Sequence, residues 1–290
     1  MKNSMKAFLV YLISVLFFPL GFIVLPSYFI KTGLENDSLH SLLSFGIFFV
    51  LIMFFPSPIV AIIVGLYVLF ISFSILNLLN AGFDDRQTIL ISFCGTIMFV
   101  VLTNLLLKFN QNVTIADIIN HKLTDSLDVL KTVKLDSEFL KDFMSLARQY
   151  TKMAVRLSYS FLGIIAFYTS VLNVYIPQRY DKQNNHRFDM FTIDFNFTIC
   201  VIIGFMLSGL LYLTDKSLGL YVVDNLVNFA TYSYFLAGVC LMLYHLRSLS
   251  KVYKILAVVI CVLIHPGIYF LAILGAINSI TNLRKREKNG

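Results

Sequence analysis

Tyr221, Asp224, Asn225, Asn228 and Tyr232 recur at steps of three and four, a spacing that sets one carboxylate, two amides and two phenols along a single helical face. They sit in an apolar stretch, where polar groups are costly and therefore informative. Functionally this face could hydrogen-bond a small polar molecule inside a helical bundle. Structurally, Asp224 is near enough to the start of its stretch to reach an interface beside Asp215 and Lys216. His265, followed by Pro266, joins the candidate set. The proline leaves a backbone carbonyl unpaired that a histidine can satisfy, so a kink closed by a local hydrogen bond is expected there rather than a proton relay. No acid lies within a turn of it on the same helix.

Other chemistry is excluded by what is missing. There is no glycine-rich phosphate loop, no HExxH and no GxSxG, and Asp181, His186, Asp189 and Asp194 have no regular spacing that would aim them at one metal. That loop reads as a solvated turn. Cys94, Cys200, Cys240 and Cys261 stand singly in apolar segments and read as buried thiols. No enzyme, cofactor or metal is expected. The net charge of +7 is accounted for by flanks that face anionic lipid, without nucleic acid.

The elements that must position these residues are membrane helices. With 58% apolar and 13% charged residues and a mean hydropathy of +0.80, the chain lacks the polar surface a soluble globule needs. Its apolar stretches are unbroken rather than alternating, which excludes a membrane β-barrel. The fold class is all-α, a polytopic transmembrane bundle of about eight spans: 7–30, 42–55, 57–80, 87–107, 154–176, 195–214, 218–244 and 255–281. The count falls to seven if the short 42–55 stretch, bounded by Pro56-Ser57-Pro58, is re-entrant. Residues 1–107 and 154–290 form the membrane helices, and 108–153 an amphipathic insert.

In the insert, Ile115, Ile118, Ile119, Leu123, Leu127, Leu130 and Val133 share one stripe, opened by Thr114 with Asp117 three residues on. A second helix carries Phe139, Leu140, Phe143, Met144, Ala147 and Tyr150 and runs into the next span. The segment Val113 to Met153 is expected to lie flat on the cytoplasmic face or to dock a partner protein. Lys and Arg concentrate at the N-terminus, the C-terminus and this insert, which places all three in the cytoplasm and the Arg179 to Asp194 loop outside. Ala272, Gly275, Ala276 and Ser279 form a small-residue face on the last span, as do Gly204, Ser208 and Gly209 on the sixth.

The run from Phe195 to Arg286 contains Asn225, Tyr234-Phe235-Leu236-Ala237-Gly238, Leu274-Gly275 and Leu283-Arg284-Lys285-Arg286. With these, and a shorter match over Pro56 to Gly65, the chain resembles the uncharacterised bacterial YybS-like family of predicted membrane proteins. Asn278 stands where that family tends to carry an aspartate. The resemblance implies a bacterial cytoplasmic membrane and a fold similar to the S components of energy-coupling-factor transporters, which bind a vitamin or metal and dock on a shared membrane partner. The alanine-rich docking motif of their first helix is missing from Ala7 to Ile30, and the nearest small-residue face here is Ala272 to Ser279. Two functions follow as expectations: uptake of a small polar molecule through the Tyr221–Tyr232 face, or a non-catalytic scaffold or assembly factor acting through the insert. Membrane lipids are partners in both.

Overall fold

The computed structural model describes residues 20–34, 58–131, 137–178 and 191–281. Among them run ten α-helices and no strand: α1 Leu20–Leu34, α2 Pro58–Asn80, α3 Asp85–Gln111, α4 Ile115–Lys131, α5 Ser137–Arg156, α6 Ser158–Gln178, α7 Phe195–Thr214, α8 Lys216–His245, α9 Lys251–Leu263 and α10 His265–Thr281. The 42–55 span, most of 7–30, both termini, and Asp181, His186 and Asp189 lie outside the described residues.

Among the described residues, four helical stretches are long and apolar enough to cross a membrane: α3, Ser158–Pro177 of α6, α7, and Lys216–Ser248, which is α8 with the one-turn 3-10 helix that follows it. These match four of the spans expected from the sequence. The most apolar window of α6 is 61% buried, against 11% for α7. The apolar surface that α7 leaves open, including Ile202, Met206, Leu210 and Leu213, is the kind that lipid rather than water covers.

The expected span at 255–281 is not one kinked helix. Lys251–Leu263 and Pro266–Thr281 are inclined by 111°, and they form a fifth span only if the bent pair counts as one. Pro266 has no N–H to continue the ladder of α9. The Gly267 N–H instead donates to the Ile264 carbonyl at 2.7 Å, with Ile264 itself extended. A Cβ on Gly267 would overlap the Cys261 carbonyl, so the glycine permits the fold-back that the proline initiates.

Internal packing divides the chain into two units. The first comprises Met1–Phe99, Ile165–Thr198 and Tyr232–Gly290. Its core holds Ile30, Val68, Ile71, Ile75, Val171, Val174 and Leu271, all shielded from solvent. Phe167 meets Phe93, Phe191 and Phe197 at centroid distances of 5.7, 6.1 and 5.6 Å. Phe191 and Ile193 are buried, so the end of the 179–194 loop is packed rather than solvated, its alternating apolar pair turned onto the helices. Gly238 and Gly275 let α8 and α10 cross backbone to backbone: a Cβ on Gly275 would overlap the Tyr234 carbonyl, and one on Gly238 the Leu271 carbonyl.

The second unit comprises Val100–Ile164 and Ile199–Thr231. Within it α4 and α5 pack on each other, and Met144 is buried. The insert is thus a helical hairpin. Phe143 and Tyr150 are exposed while Met144 is buried, because the apolar arc is wider than one neighbouring helix covers.

The cysteines also differ from expectation. Cys240 is buried, Cys261 is half-buried, and Cys94 and Cys200 are exposed. An apolar stretch on an outer helix turns its thiols to the surroundings, and lipid does not penalise them there.

Candidate functional site

On α8 the expected stripe folds against the joint between α5 and α6. The Asn225 carboxamide is at its centre. In an unbroken helix the Ser160 N–H would donate to the Arg156 carbonyl. Here the Ser160 N–H donates to Asn225 Oδ1 at 2.9 Å, and Asn225 Nδ2 donates to the Arg156 carbonyl at 2.9 Å. The side chain is therefore inserted into the helical ladder where α5 gives way to α6, a recognised cause of a break. Its second N–H returns to the Tyr221 carbonyl at 2.9 Å.

Asn228 and Asp224 complete the clamp. Asn228 Nδ2 donates to Ser160 Oγ at 2.7 Å, and that hydroxyl donates to the Leu157 carbonyl at 2.8 Å. Asp224 forms an ion pair with Arg156, both side chains partly exposed, so its contribution is screened. Tyr221 meets Tyr159 edge to face at 6.5 Å. With 30 residues at about 1.5 Å each, α8 exceeds the roughly 30 Å of hydrocarbon by about 15 Å. Asp224 is the ninth residue of α8, about 12 Å from its start.

The remaining candidates are elsewhere. Tyr232 belongs to the first unit, where its carbonyl accepts from the Tyr168 hydroxyl at 2.8 Å. His265 begins α10, also in the first unit, and its side chain lies outside the described residues. The small-residue face on α10 is occupied within the chain. Gly275 crosses α8, Ala272 is buried, and Ser279 Oγ lies 2.6 Å from Thr198 Oγ1, which also accepts from the Tyr234 hydroxyl at 2.9 Å. On the sixth expected span a Cβ on Gly204 would touch Leu226, whereas one on Gly209 would meet nothing within 4 Å among the described residues.

One buried group was legible in the sequence only as a departure from a family pattern. Asn278 is 1% exposed, and neither end of its carboxamide has a hydrogen-bond partner among the described residues. An unpaired buried amide is costly. By contrast Asn173, equally buried, accepts from Ser27 Oγ at 2.6 Å and donates to the Thr169 carbonyl at 2.7 Å.

The acids in the turns serve helix starts. Asp84 Oδ1 accepts from the Gln87 N–H at 2.7 Å, Asp194 Oδ1 from Phe195 N–H at 2.7 Å, and Asp215 Oδ1 from Ser217 and Leu218 N–H at 2.9 and 3.0 Å. At the hairpin, Asp117 Oδ2 accepts from the Thr114 hydroxyl at 2.6 Å and its N–H at 2.8 Å, while Thr114 Oγ1 accepts from the Asp117 N–H at 3.2 Å. This is the reciprocal capping arrangement the sequence announces. Asn104 of α3 adds a cap the sequence does not reveal, accepting from the Ile115 N–H at 2.9 Å.

A pH dependence follows from the capping box. Hydrogen bonds from the Thr114 side chain, and then its backbone, hold the Asp117 pKa below its ordinary 3.8. A depressed folded value means that the cap's contribution is complete above 3.8 and is lost as pH falls through the folded value. Protection of the first-turn amides of α4 against hydrogen exchange is expected to fall in that acidic window. In Asp117→Asn it should not change there.

A family model described as a predicted membrane protein (DUF2232) matches residues 6–279. No curated protein and no solved structure matches the chain.

Proposed function

The chain belongs to the DUF2232 family of predicted membrane proteins, and from that premise we propose that it is a non-catalytic membrane scaffold or assembly factor whose working part is the α4–α5 hairpin. One observation carries the reading: Asp224, Asn225 and Asn228, the residues best suited by type to hold a ligand, are engaged by Arg156 and Ser160 of the chain itself. They position a helical hairpin. Eight spans in a bacterial cytoplasmic membrane, with both termini and the hairpin cytoplasmic, complete the proposal. The four described spans and the bent pair supply five of them, and 7–30, 42–55 and 57–80 the others. The pairing of Arg156 with Asp224, close to the start of α8, supports placing both at the face where Lys and Arg concentrate. The partners are membrane lipids and a protein met by the hairpin.

A second reading, uptake of a small polar molecule in the manner of transporter S components, is favoured by the unpaired Asn278 carboxamide. Its ligand would meet Asn278 rather than the clamp. Complementation of a strain deleted for the gene separates the two. On the scaffold reading, Arg148→Glu with Lys152→Glu fails to complement at normal protein level. Asn278→Leu complements and is more stable, by roughly 1–3 kcal/mol, because an unsatisfied amide has gone. The reverse pattern, with Asn278→Leu inactive at normal level and the charge-reversed hairpin active, would sink the scaffold reading in favour of uptake.

A further inference from the structure

The hairpin has an apolar surface that is about half exposed. Phe143, Leu146, Tyr150 and Met153 are 45, 53, 63 and 55% exposed. Their spacing of three, four and three residues keeps them on one side of α5. Met144, one residue on from Phe143, is buried, so α5 already has a packed face and this seam is a second one. Arg148, Lys152 and Arg156 are exposed and, at about 100° per residue, fall on the arc away from the seam. We infer that the Phe143–Leu146–Tyr150–Met153 seam is a lipid-contact face that seats α5 in the headgroup region of the bilayer.

Three features select lipid as the occupant. The first is continuity: α5 ends at Arg156, and α6, long and apolar enough to cross, begins at Ser158. Met153 is therefore five residues, or about 8 Å of helix, from the point where the chain enters hydrocarbon. The second is charge. Helix α5 carries Lys141, Arg148, Lys152 and Arg156 against Glu138 and Asp142, a basic excess that draws the helix as a whole toward an anionic surface while the cations keep to its watery side. The third is the seam's chemistry and length. Tyr150 has an apolar ring and a polar tip suited to an interface, and Phe143 to Met153 covers fewer than two heptads, short of the three or four that sustain a coiled coil with a second copy.

The assignment does not rest on the scaffold reading, since an interfacial α5 serves an uptake protein equally well. In the scaffold it leaves the basic arc facing the cytoplasm, where a partner would meet it.

The chain contains no tryptophan, so one introduced indole reports its own surroundings. The full-length protein, carrying Tyr150→Trp or Arg148→Trp, is reconstituted in bilayers of mixed phosphatidylcholine and phosphatidylglycerol, with or without lipids brominated near the carbonyl end of their chains. Tyr150→Trp is expected to be blue-shifted and strongly quenched, and Arg148→Trp red-shifted and weakly quenched. Met153→Trp repeats the test should Tyr150→Trp fail to fold. Equal weak quenching at both positions would overturn the assignment. Emission that is blue-shifted, unquenched by bromine and dependent on the protein-to-lipid ratio would overturn it too, in favour of self-association through the seam.

Discussion

Gly275→Ala and Gly238→Ala are each expected to destabilise the first unit at the upper end of the roughly 1–3 kcal/mol that overpacking costs. The reason is geometric. The atom added at Gly275 meets the Tyr234 carbonyl oxygen, and the one added at Gly238 meets the Leu271 carbonyl. Carbonyl oxygens held in helical ladders cannot rotate aside as a flexible side chain would, so α8 and α10 must separate. Separation also disturbs the hydroxyl chain through Tyr234, Thr198 and Ser279, whose members are buried. Gly209→Ala is the control: nothing among the described residues lies within 4 Å of the added atom, and alanine favours the helix by about 1 kcal/mol. Thermal unfolding in detergent should order the variants accordingly. Since one added methyl already parts the helices, the double variant should cost clearly less than the two single effects added together. Wild-type stability for either single variant would mean that the crossing is looser than described.

That crossing shows what a sequence can and cannot announce. Gly275 was legible as part of a small-residue face, but its partner Gly238 was not. Small residues mark a close approach without saying to what. Likewise α3, α6, α7 and α8 were legible from apolar length, which is a local property. Pro266 announced an interruption, yet the 111° fold-back depends also on Gly267 passing the Cys261 carbonyl, a contact between two helices. The stripe of α8 was legible as a face because helical period is local. Its partner was not, since Arg156 and Ser160 lie more than sixty residues away in sequence. Arg156 shows in the sequence only as a cation near the start of the expected 154–176 span. Nothing about its type signals that its backbone carbonyl would lack a helical partner.

Asn225→Leu is expected to cost about 2 kcal/mol and to loosen the hairpin rather than the membrane helices. The substitution preserves volume and helix preference while removing both ends of the inserted amide. The Ser160 N–H, in a residue 4% exposed, then loses its acceptor, a deficit of roughly 1–3 kcal/mol. The Arg156 carbonyl is at a more exposed edge and can turn to water, so its loss adds little. Asn225→Asp discriminates the role further. A carboxylate can still accept from Ser160 but offers nothing to the Arg156 and Tyr221 carbonyls, and it stands next to Asp224. It should therefore be no better than leucine at neutral pH, although it conserves shape. Hydrogen exchange gives the site-specific reading: faster exchange of the Ser160 amide and of α5, with α7 unchanged, is the expected pattern. If Ser160 stays protected and stability is unchanged in Asn225→Leu, the ladder has closed directly between Ser160 and Arg156. In that event α5 and α6 join into one helix without the amide, and the clamp no longer explains how the hairpin is held.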